Sequence, residues 1–401
     1  MKISTHATLA MLGKVTFGTY FAFMLGFFFI PNAVDQYKFY SFAVFIPALA
    51  LLPRMARRIG SDRLLLAILA YLLWMLLSSF WSETFVAGDF FKTLRLVAYL
   101  VVFVLLTAYA ANRNPVLFAR GAGALSLGAA VAAIVSVPLW YAHQPFPDSR
   151  IIGMGTLDNP NPSSFAYGFF ALLSCQLALG HDTVTRRRLF IGGTLVLGGF
   201  VVLTRSNTGI LATVLSIALL LLLHHRRRRL YLATGILVAC GAIMFLAYSV
   251  GILDSPMDSG LSQRIPIWQT VIGQIEQAPL IGNGYQKYLL LHADGSPDVA
   301  NYAHSALLAS FRDGGLIGVG LHLLVLGIAL VTAVRHFRQD ADPAFLAYLL
   351  FGFVCMLADT DQLVTRPREL WIIFWLPLAV MIAWRVSQQR RQAVSGNESV
   401  E

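Results

Sequence analysis

The chain has 401 residues, of which 57% are hydrophobic and only 12% are charged, and its formal net charge is +10. A mean hydropathy of +0.68 is more than a water-soluble protein of this length needs, so the composition excludes a soluble enzyme and predicts an all-α polytopic membrane protein. The three cysteines (Cys175, Cys240 and Cys355) each lie in an apolar run without disulfide or metal-ligand spacing, and we interpret them as packing residues.

Apolar segments predict about 12 transmembrane helices. The expected spans are 15–30, 39–53, 64–81, 95–112, 117–141, 163–180, 188–204, 208–223, 230–250, 314–334, 343–358 and 369–385. Several of these are short for a crossing of ~20 residues.

The spans divide the chain into four parts. Residues 1–250 hold helices one to nine, 251–313 form one large polar loop, 314–386 hold helices ten to twelve, and 387–401 form a polar tail expected to be disordered. Because the membrane core tolerates few charged groups, chemistry in such a protein is expected in its polar loops.

Charge asymmetry predicts the orientation. If both termini are cytoplasmic, 20 of the 30 lysines and arginines and 6 of the 20 acidic residues lie inside, giving +14 inside and −4 outside. This agrees with the positive-inside rule. The basic run at 224–229 is therefore interpreted as a membrane anchor against anionic lipids, and no nucleic-acid partner is predicted.

The large loop contains one helical pattern. Ile265, Trp268, Val271, Ile272 and Ile275 recur at helical spacing, which predicts an amphipathic helix on the bundle or in the headgroup layer, ended by a proline at 279. The segment 305–311 is expected to form another helix that continues into the tenth span.

Three residues on the predicted outer face are candidates for chemistry. The imidazole of His304 can take a proton from a hydroxyl, although it can equally hold a loop in place. Arg205 and Arg264 lie on the face that the positive-inside rule leaves poor in cations, so they suit a phosphate, but Arg205 can also bind lipid and Arg264 can pair with a nearby acid.

Other outer-face residues leave two interpretations open. Asn159 and Asn161 flank a proline, where turn chemistry alone accounts for them. Arg366 and Arg368 can bind an anion or pair with acids in their own loop, which are Asp359, Asp361 and Glu369. The acid pairs Asp254/Asp258 and Asp359/Asp361 lack further ligands nearby and are interpreted as solvated loop residues, so no metal site is predicted.

These residues occur in motifs that resemble the bacterial O-antigen ligase family, within the O-antigen ligase/polymerase superfamily. The motifs are His304-Ser305-x-x-Leu308 before Gly314-Gly315-Leu316-x-Gly318, Thr204-Arg205-Ser206-x-Thr208-Gly209, Ser262-x-Arg264-x-x-x-Trp268, Asn159-Pro160-Asn161 and Gly282-Asn283-Gly284. The resemblance covers essentially the whole chain, as a bundle of twelve spans with one large late loop in the periplasm.

The resemblance implies a GT-C-like, metal-independent glycosyltransferase without a cofactor. It would sit in the bacterial inner membrane, with its active site facing the periplasm, and take a glycan from undecaprenyl diphosphate to a sugar hydroxyl of lipid A–core with inversion. His304 would activate the hydroxyl and Arg205 and Arg264 would bind the donor pyrophosphate. Ser305 joins the asparagines and the two loop arginines as a contact to glycan or acceptor.

Three alternatives remain. An O-antigen polymerase or a protein O-oligosaccharyltransferase would use the same donor with another acceptor. A transporter for lipid-linked glycans is more remote, because the ionisable residues gather at one predicted face instead of the middle of the spans.

Overall fold

The computed structural model describes residues 5–146, 148–224, 262–285, 291–293, 296–298, 303–360 and 362–398. Within these ranges helices dominate. Their bounds are α1 Thr5–Phe29, α2 Ala33–Phe39, a π-helix Tyr40–Phe45, α3 Ile46–Leu49, α4 Leu52–Ile59, α5 Arg63–Ser78, a 3₁₀ turn Ser79–Trp81, α6 Ala87–Arg113, α7 Pro115–Tyr141, α8 Pro160–Gly180, α9 Val184–Leu203, α10 Asn207–Leu223, α11 Ser262–Gln277, α12 Ala306–Asp340, α13 Ala344–Ala358, a π-helix Trp371–Trp375 and α14 Leu376–Glu398.

These helices confirm a multi-pass helical membrane protein. In the described part of the chain, seven helices are long and apolar enough to cross a membrane, or eight if one bent pair counts as a span. Every predicted span except 230–250, which lies outside the described residues, coincides with helix. Two of these helices, α10 and α13, are shorter, with 17 and 15 residues. The number twelve therefore stays a prediction.

The predicted span at 39–53 is wrong as a single straight helix. The chain is helical over Ala33–Leu49 and again over Leu52–Ile59, and the two parts meet at 71°. Pro53 lies in the first turn of α4. Proline lacks the N–H that a continuing helix needs, but it is tolerated in the first turn, where that N–H has no partner within the helix, so it starts a new helix here.

An aromatic cluster packs directly behind the loop that enters the last span. The Trp371 ring lies 4.9 Å from that of Tyr40 and 4.8 Å from that of Phe103, and Phe23 lies 4.8 Å from Tyr40. All four side chains are buried. Such pairs each add about 0.5–1.5 kcal/mol beyond their burial, so the cluster fixes the position of the preceding loop.

A break in α12 is filled by the segment before it. Gly315 has φ 64° and ψ −161° inside the helix. There the Leu316 N–H donates to Pro279 O at 2.8 Å and the Asn283 N–H to Arg312 O at 2.8 Å. The backbone groups that the break would leave unpaired are thus satisfied. A Cβ on Gly282 would lie 2.4 Å from Gly315 N, so the Gly-x-Gly motif has a packing role.

The helix predicted in the large loop is confirmed as α11. Ile267, Val271 and Ile275 are buried in one cluster with Ala303 and Ala309, so α11 lies on the bundle. Ile265 and Ile272 are exposed, so the buried stripe is rotated from the predicted one.

Two further features of the described chain differ from expectation. The loop also contains two antiparallel strands, β1 Leu291–Ala293 and β2 Ser296–Asp298, where only helices were predicted. The tail expected to be disordered continues as helix through Glu398. Cys175 and Cys355 are buried and free, as predicted, and Cys240 lies outside the described residues.

Candidate active site

Several predicted outer loops meet at one end of the bundle around a cavity of about 330 Å³. The start of α8, the segment just before α12 and the loop between α13 and α14 contribute its polar walls. The lining residues are Ala33, Thr156, Asp158, Asn159, Asn161, Pro162, His304, Asp359, Thr360, Arg366, Pro367, Arg368 and Glu369. Five predicted candidates from three separate parts of the sequence therefore share one cavity.

Asp359 is the central contact of this site. Its Oδ1 lies 3.2 Å from His304 Nδ1 and 3.0 Å from Arg264 Nη2. The Asp359 side chain is only 5% exposed, so the prediction of a solvated loop residue is wrong for it. Asp361, Asp254 and Asp258 lie outside the described residues.

The contact with Asp359 selects one form of the His304 ring. An ionised carboxylate only accepts hydrogen bonds, so the N–H at His304 Nδ1 donates to Asp359 Oδ1, and in the neutral ring the other nitrogen, Nε2, has the lone pair. The tautomer is assigned from this hydrogen bond. A carboxylate that orients an imidazole in this way is the arrangement used by catalytic bases.

The backbone of His304 is strained. In the described residues only Arg205, His304 and Ala341 among non-glycines have positive φ, at 52°, 49° and 54°. A left-handed conformation costs a residue with a side chain about 1–2 kcal/mol. Such strain gathers at functional sites, and two of the three residues were singled out from the sequence for chemistry. Ser305 follows His304 as the N-cap of α12 and is buried.

The two arginines expected to bind one anion are placed differently. Arg264 is not itself a lining residue, but it forms an ion pair with Asp359, which lines the cavity. Arg205 is not among the residues that line the cavity, and its Nη1 lies 3.4 Å from the carbonyl oxygen of Asp148. The structure therefore joins His304 to Arg264 but does not bring Arg205 into contact with either.

The side chain of Arg150 links the residue before Arg205 to a residue that lines the cavity. Its Nε donates to the carbonyl of Thr204 at 3.0 Å, and its Nη2 donates to Asn161 Oδ1 at 2.8 Å. Asn159 caps α8 by accepting from the Asn161 N–H at 3.1 Å. Turn chemistry thus accounts for Asn159, while both asparagines also line the cavity.

The two loop arginines differ in their partners. Arg368 Nε lies 2.7 and 2.9 Å from the two carboxylate oxygens of the buried Glu369. Arg366 makes no ion pair within the described part of the chain. Of the two, Arg366 is therefore the cation left to balance an anionic ligand in the cavity.

Sequence reasoning missed Asp359 and Arg150 as site residues. One available signal was the position of Asp359, immediately after an apolar helix on the predicted outer side. Its partner His304 is 55 residues away in the chain, so no local spacing indicates the contact. In the described ranges, no group of three His, Cys, Asp or Glu side chains is arranged to hold a metal ion.

Comparison with known proteins agrees with the motifs. The family model described as O-antigen ligase matches residues 192–323, a region that includes Arg205, Arg264 and His304. An O-antigen ligase of Pseudomonas aeruginosa is 25% identical over 373 residues, covering 92% of this chain and 90% of the relative. The family model and the relative point to the same group, so the chain is a multi-pass membrane protein that is similar to O-antigen ligases.

Proposed function

We propose that this protein is an O-antigen ligase that transfers a glycan from undecaprenyl diphosphate to a sugar hydroxyl of lipid A–core. The observation that carries the proposal is the contact of Asp359 with both His304 and Arg264 at a cavity that Arg366 also lines. This arrangement places an oriented base beside cations suited to a diphosphate, as such a transfer requires.

In the proposed reaction, His304 Nε2 takes the proton of the acceptor hydroxyl. The hydroxyl oxygen forms a bond to the anomeric carbon, while the bond from that carbon to the diphosphate oxygen breaks. The bonding electron pair leaves with undecaprenyl diphosphate. Direct displacement inverts the anomeric configuration.

Arginines stabilise the charge that develops on the leaving diphosphate. A guanidinium has five N–H donors, so Arg264 retains donors for a ligand while one nitrogen contacts Asp359. Arg366 adds a cation at the cavity wall, and in the proposal Arg205, which does not line the cavity, binds a more distant part of the donor. Preorganised cations of this kind stabilise a transition state without the reorganisation that water would need.

The proposal includes the orientation of the chain in the bacterial inner membrane. Charge asymmetry favours cytoplasmic termini, which would place the cavity on the periplasmic face. A donor with a polyprenyl tail reaches such a cavity from the membrane. This requirement gives a physical reason for a membrane bundle as the scaffold.

The proposal is tested by reconstitution. Purified protein in nanodiscs would be mixed with undecaprenyl-diphosphate-linked glycan, lipid A–core and EDTA, and the product read as a gel shift of the core. We expect transfer by the wild type and none by His304→Ala. Full activity of His304→Ala would refute the role of the base, and loss of wild-type activity in EDTA would refute metal independence.

The same assay separates the nearest alternative. If glycan chains lengthen and the core does not shift, the second lipid-linked glycan is the acceptor and the protein is a polymerase. His304 would then serve a different hydroxyl at the same site.

A further inference from the structure

A second cavity, of about 350 Å³, lies at the opposite end of the bundle from the candidate active site. Helix α7 relates the two ends. It begins at Pro115, next to the cavity residue Asn114, and ends at Tyr141, whose hydroxyl donates to Ser149 O in a loop beside the site. At ~1.5 Å per residue, its 27 residues separate the two cavities by roughly 40 Å.

Three cations surround this second cavity. Lys14 comes from α1, Arg54 from α4 and Arg113 from the end of α6, and no acidic residue is among the lining side chains. Within the described part of the chain none of the three makes an ion pair. Because like charges around one cavity repel, a bound anion would lower the electrostatic energy.

The backbone adds to the positive potential. Asn114 caps α7 by accepting from the Leu117 N–H at 3.0 Å, so the N-terminus of a long helix begins at the cavity. Helix N-termini favour anions, phosphates in particular. Arg113 is held in place by the hydroxyl of Tyr109, at 2.6 Å from its Nη1.

Elsewhere in the described chain, a cation that lines a cavity does have an acidic partner. Arg63, Arg335 and Arg385 line another cavity, but there Arg385 Nε lies 2.7 Å from Asp62 Oδ2. That carboxylate neutralises part of the charge. In the Lys14 cavity no described side chain does so.

The rest of the cavity is apolar and roomy. Phe17, Leu51, Leu106 and Leu117 form its walls. Leu117 is exposed, as expected of a surface that acyl chains cover. A Cβ on Gly13 would meet no atom within 4 Å, so there is open space beside Lys14.

We propose that this cavity binds an anionic phospholipid, with the lipid phosphate between Lys14, Arg54 and Arg113 and the acyl chains along the apolar walls. Basic pockets between membrane helices recognise anionic headgroups in this way. The proposal does not depend on the transfer reaction, because the cavity shares no residue with the candidate active site.

Native mass spectrometry of the full chain in neutral detergent would test this proposal. The protein would be titrated with dioleoyl phosphatidylglycerol, dioleoyl phosphatidylcholine or sodium phosphate. We expect one tight phosphatidylglycerol adduct that neither other probe reproduces. The triple variant Lys14→Gln, Arg54→Gln, Arg113→Gln should bind it roughly 100-fold more weakly, since each cation contributes roughly a factor of five.

A matched variant separates a site from general surface charge. Arg57→Gln, Arg120→Gln, Arg186→Gln removes the same charge from exposed residues at this end of the bundle that do not line the cavity, and it should bind phosphatidylglycerol as the wild type does. Equal weakening in both triple variants would overturn the proposal in favour of nonspecific attraction.

A steric test leaves the charges intact. Gly13→Trp should fill the cavity and abolish the adduct, whereas Gly18→Trp, on the same helix and equally free of neighbours around its Cβ, should keep it. Retention of the adduct by Gly13→Trp would overturn the proposed position. Displacement of the lipid by sodium phosphate at equal concentration would show a free-anion site instead of a lipid site.

Discussion

The replacement Asp359→Asn tests whether the carboxylate orients the catalytic base. The substitution keeps the shape of the side chain but removes the charge that fixes the N–H at His304 Nδ1. An amide can present either its oxygen or its NH₂ group to the ring, so the ring can adopt the other tautomer, in which Nε2 carries the proton and cannot accept one.

The expected loss of rate follows from the contribution of a positioned base. General base catalysis contributes roughly 10²–10⁴-fold, which corresponds to about 3–5 kcal/mol in the activation free energy. The expected loss of stability is smaller, about 1–2 kcal/mol, because the hydrogen bond from His304 and the contact with Arg264 lose the charge of the acceptor but are not deleted. The catalytic effect therefore exceeds the structural one.

The assay is the transfer rate at saturating donor and acceptor, measured with unfolding in mixed SDS micelles. Asp313→Asn is the matched control. Like Asp359, Asp313 has two close polar partners, since it accepts hydrogen bonds from Arg312 Nε at 2.6 Å and Gln362 Nε2 at 2.7 Å. It is fully buried but does not line the cavity.

The comparison between the two variants decides the question. We expect similar losses of stability and a large loss of rate for Asp359→Asn alone. A wild-type rate for Asp359→Asn, or an equal loss of rate in both variants, would refute the role of Asp359 in orienting His304.

Three further predictions concern the donor and the fold. Arg366→Gln should raise the KM for the donor by about tenfold or more, as loss of a charged hydrogen bond does. Arg368→Gln should raise this KM less, because Arg368 is paired with a neighbouring carboxylate. Equal increases in KM for the two variants would contradict this prediction. Ala341→Gly should raise the free energy of unfolding by about 1 kcal/mol, because φ is 54° at the C-cap of α12 and glycine adopts that conformation without strain; SDS titration would measure it. Gly282→Ala should lower the free energy of unfolding by about 1–3 kcal/mol, since φ is 77° and the new Cβ would lie 2.4 Å from Gly315 N. An unchanged free energy of unfolding would show that the break in α12 can relax.

Much of the fold follows from local properties of the sequence. Apolar runs long enough to cross a membrane must become helices, because a helix satisfies its own backbone hydrogen bonds where water is absent. For this reason helices such as α5 and α7 lie close to their predicted spans. Local sequence patterns were less successful at predicting features that depend on packing between helices. The 71° bend between α2–α3 and α4 and the rotated buried stripe of α11 depend on neighbouring helices.

The candidate site divides in a similar way. The residue types and the predicted outer face indicated His304 and Arg264 as chemical candidates, and both touch Asp359 in the structure. Arg205 was indicated by the same argument and lies beside Asp148 instead. Charge placement along a sequence gives the end of the bundle at which a side chain lies, but not its neighbours at that end.

The sequence by itself determined the class of the protein, its helical architecture and the set of polar residues that gather on one face, because hydrophobic length and charge asymmetry are properties of the local chain. Only the tertiary structure decided that Asp359 joins His304 to Arg264 and that the segment 279–284 fills the break in α12. These contacts join residues from different helices and loops. They exist because packing of the bundle brings together groups whose separation along the chain carries no information about distance in space.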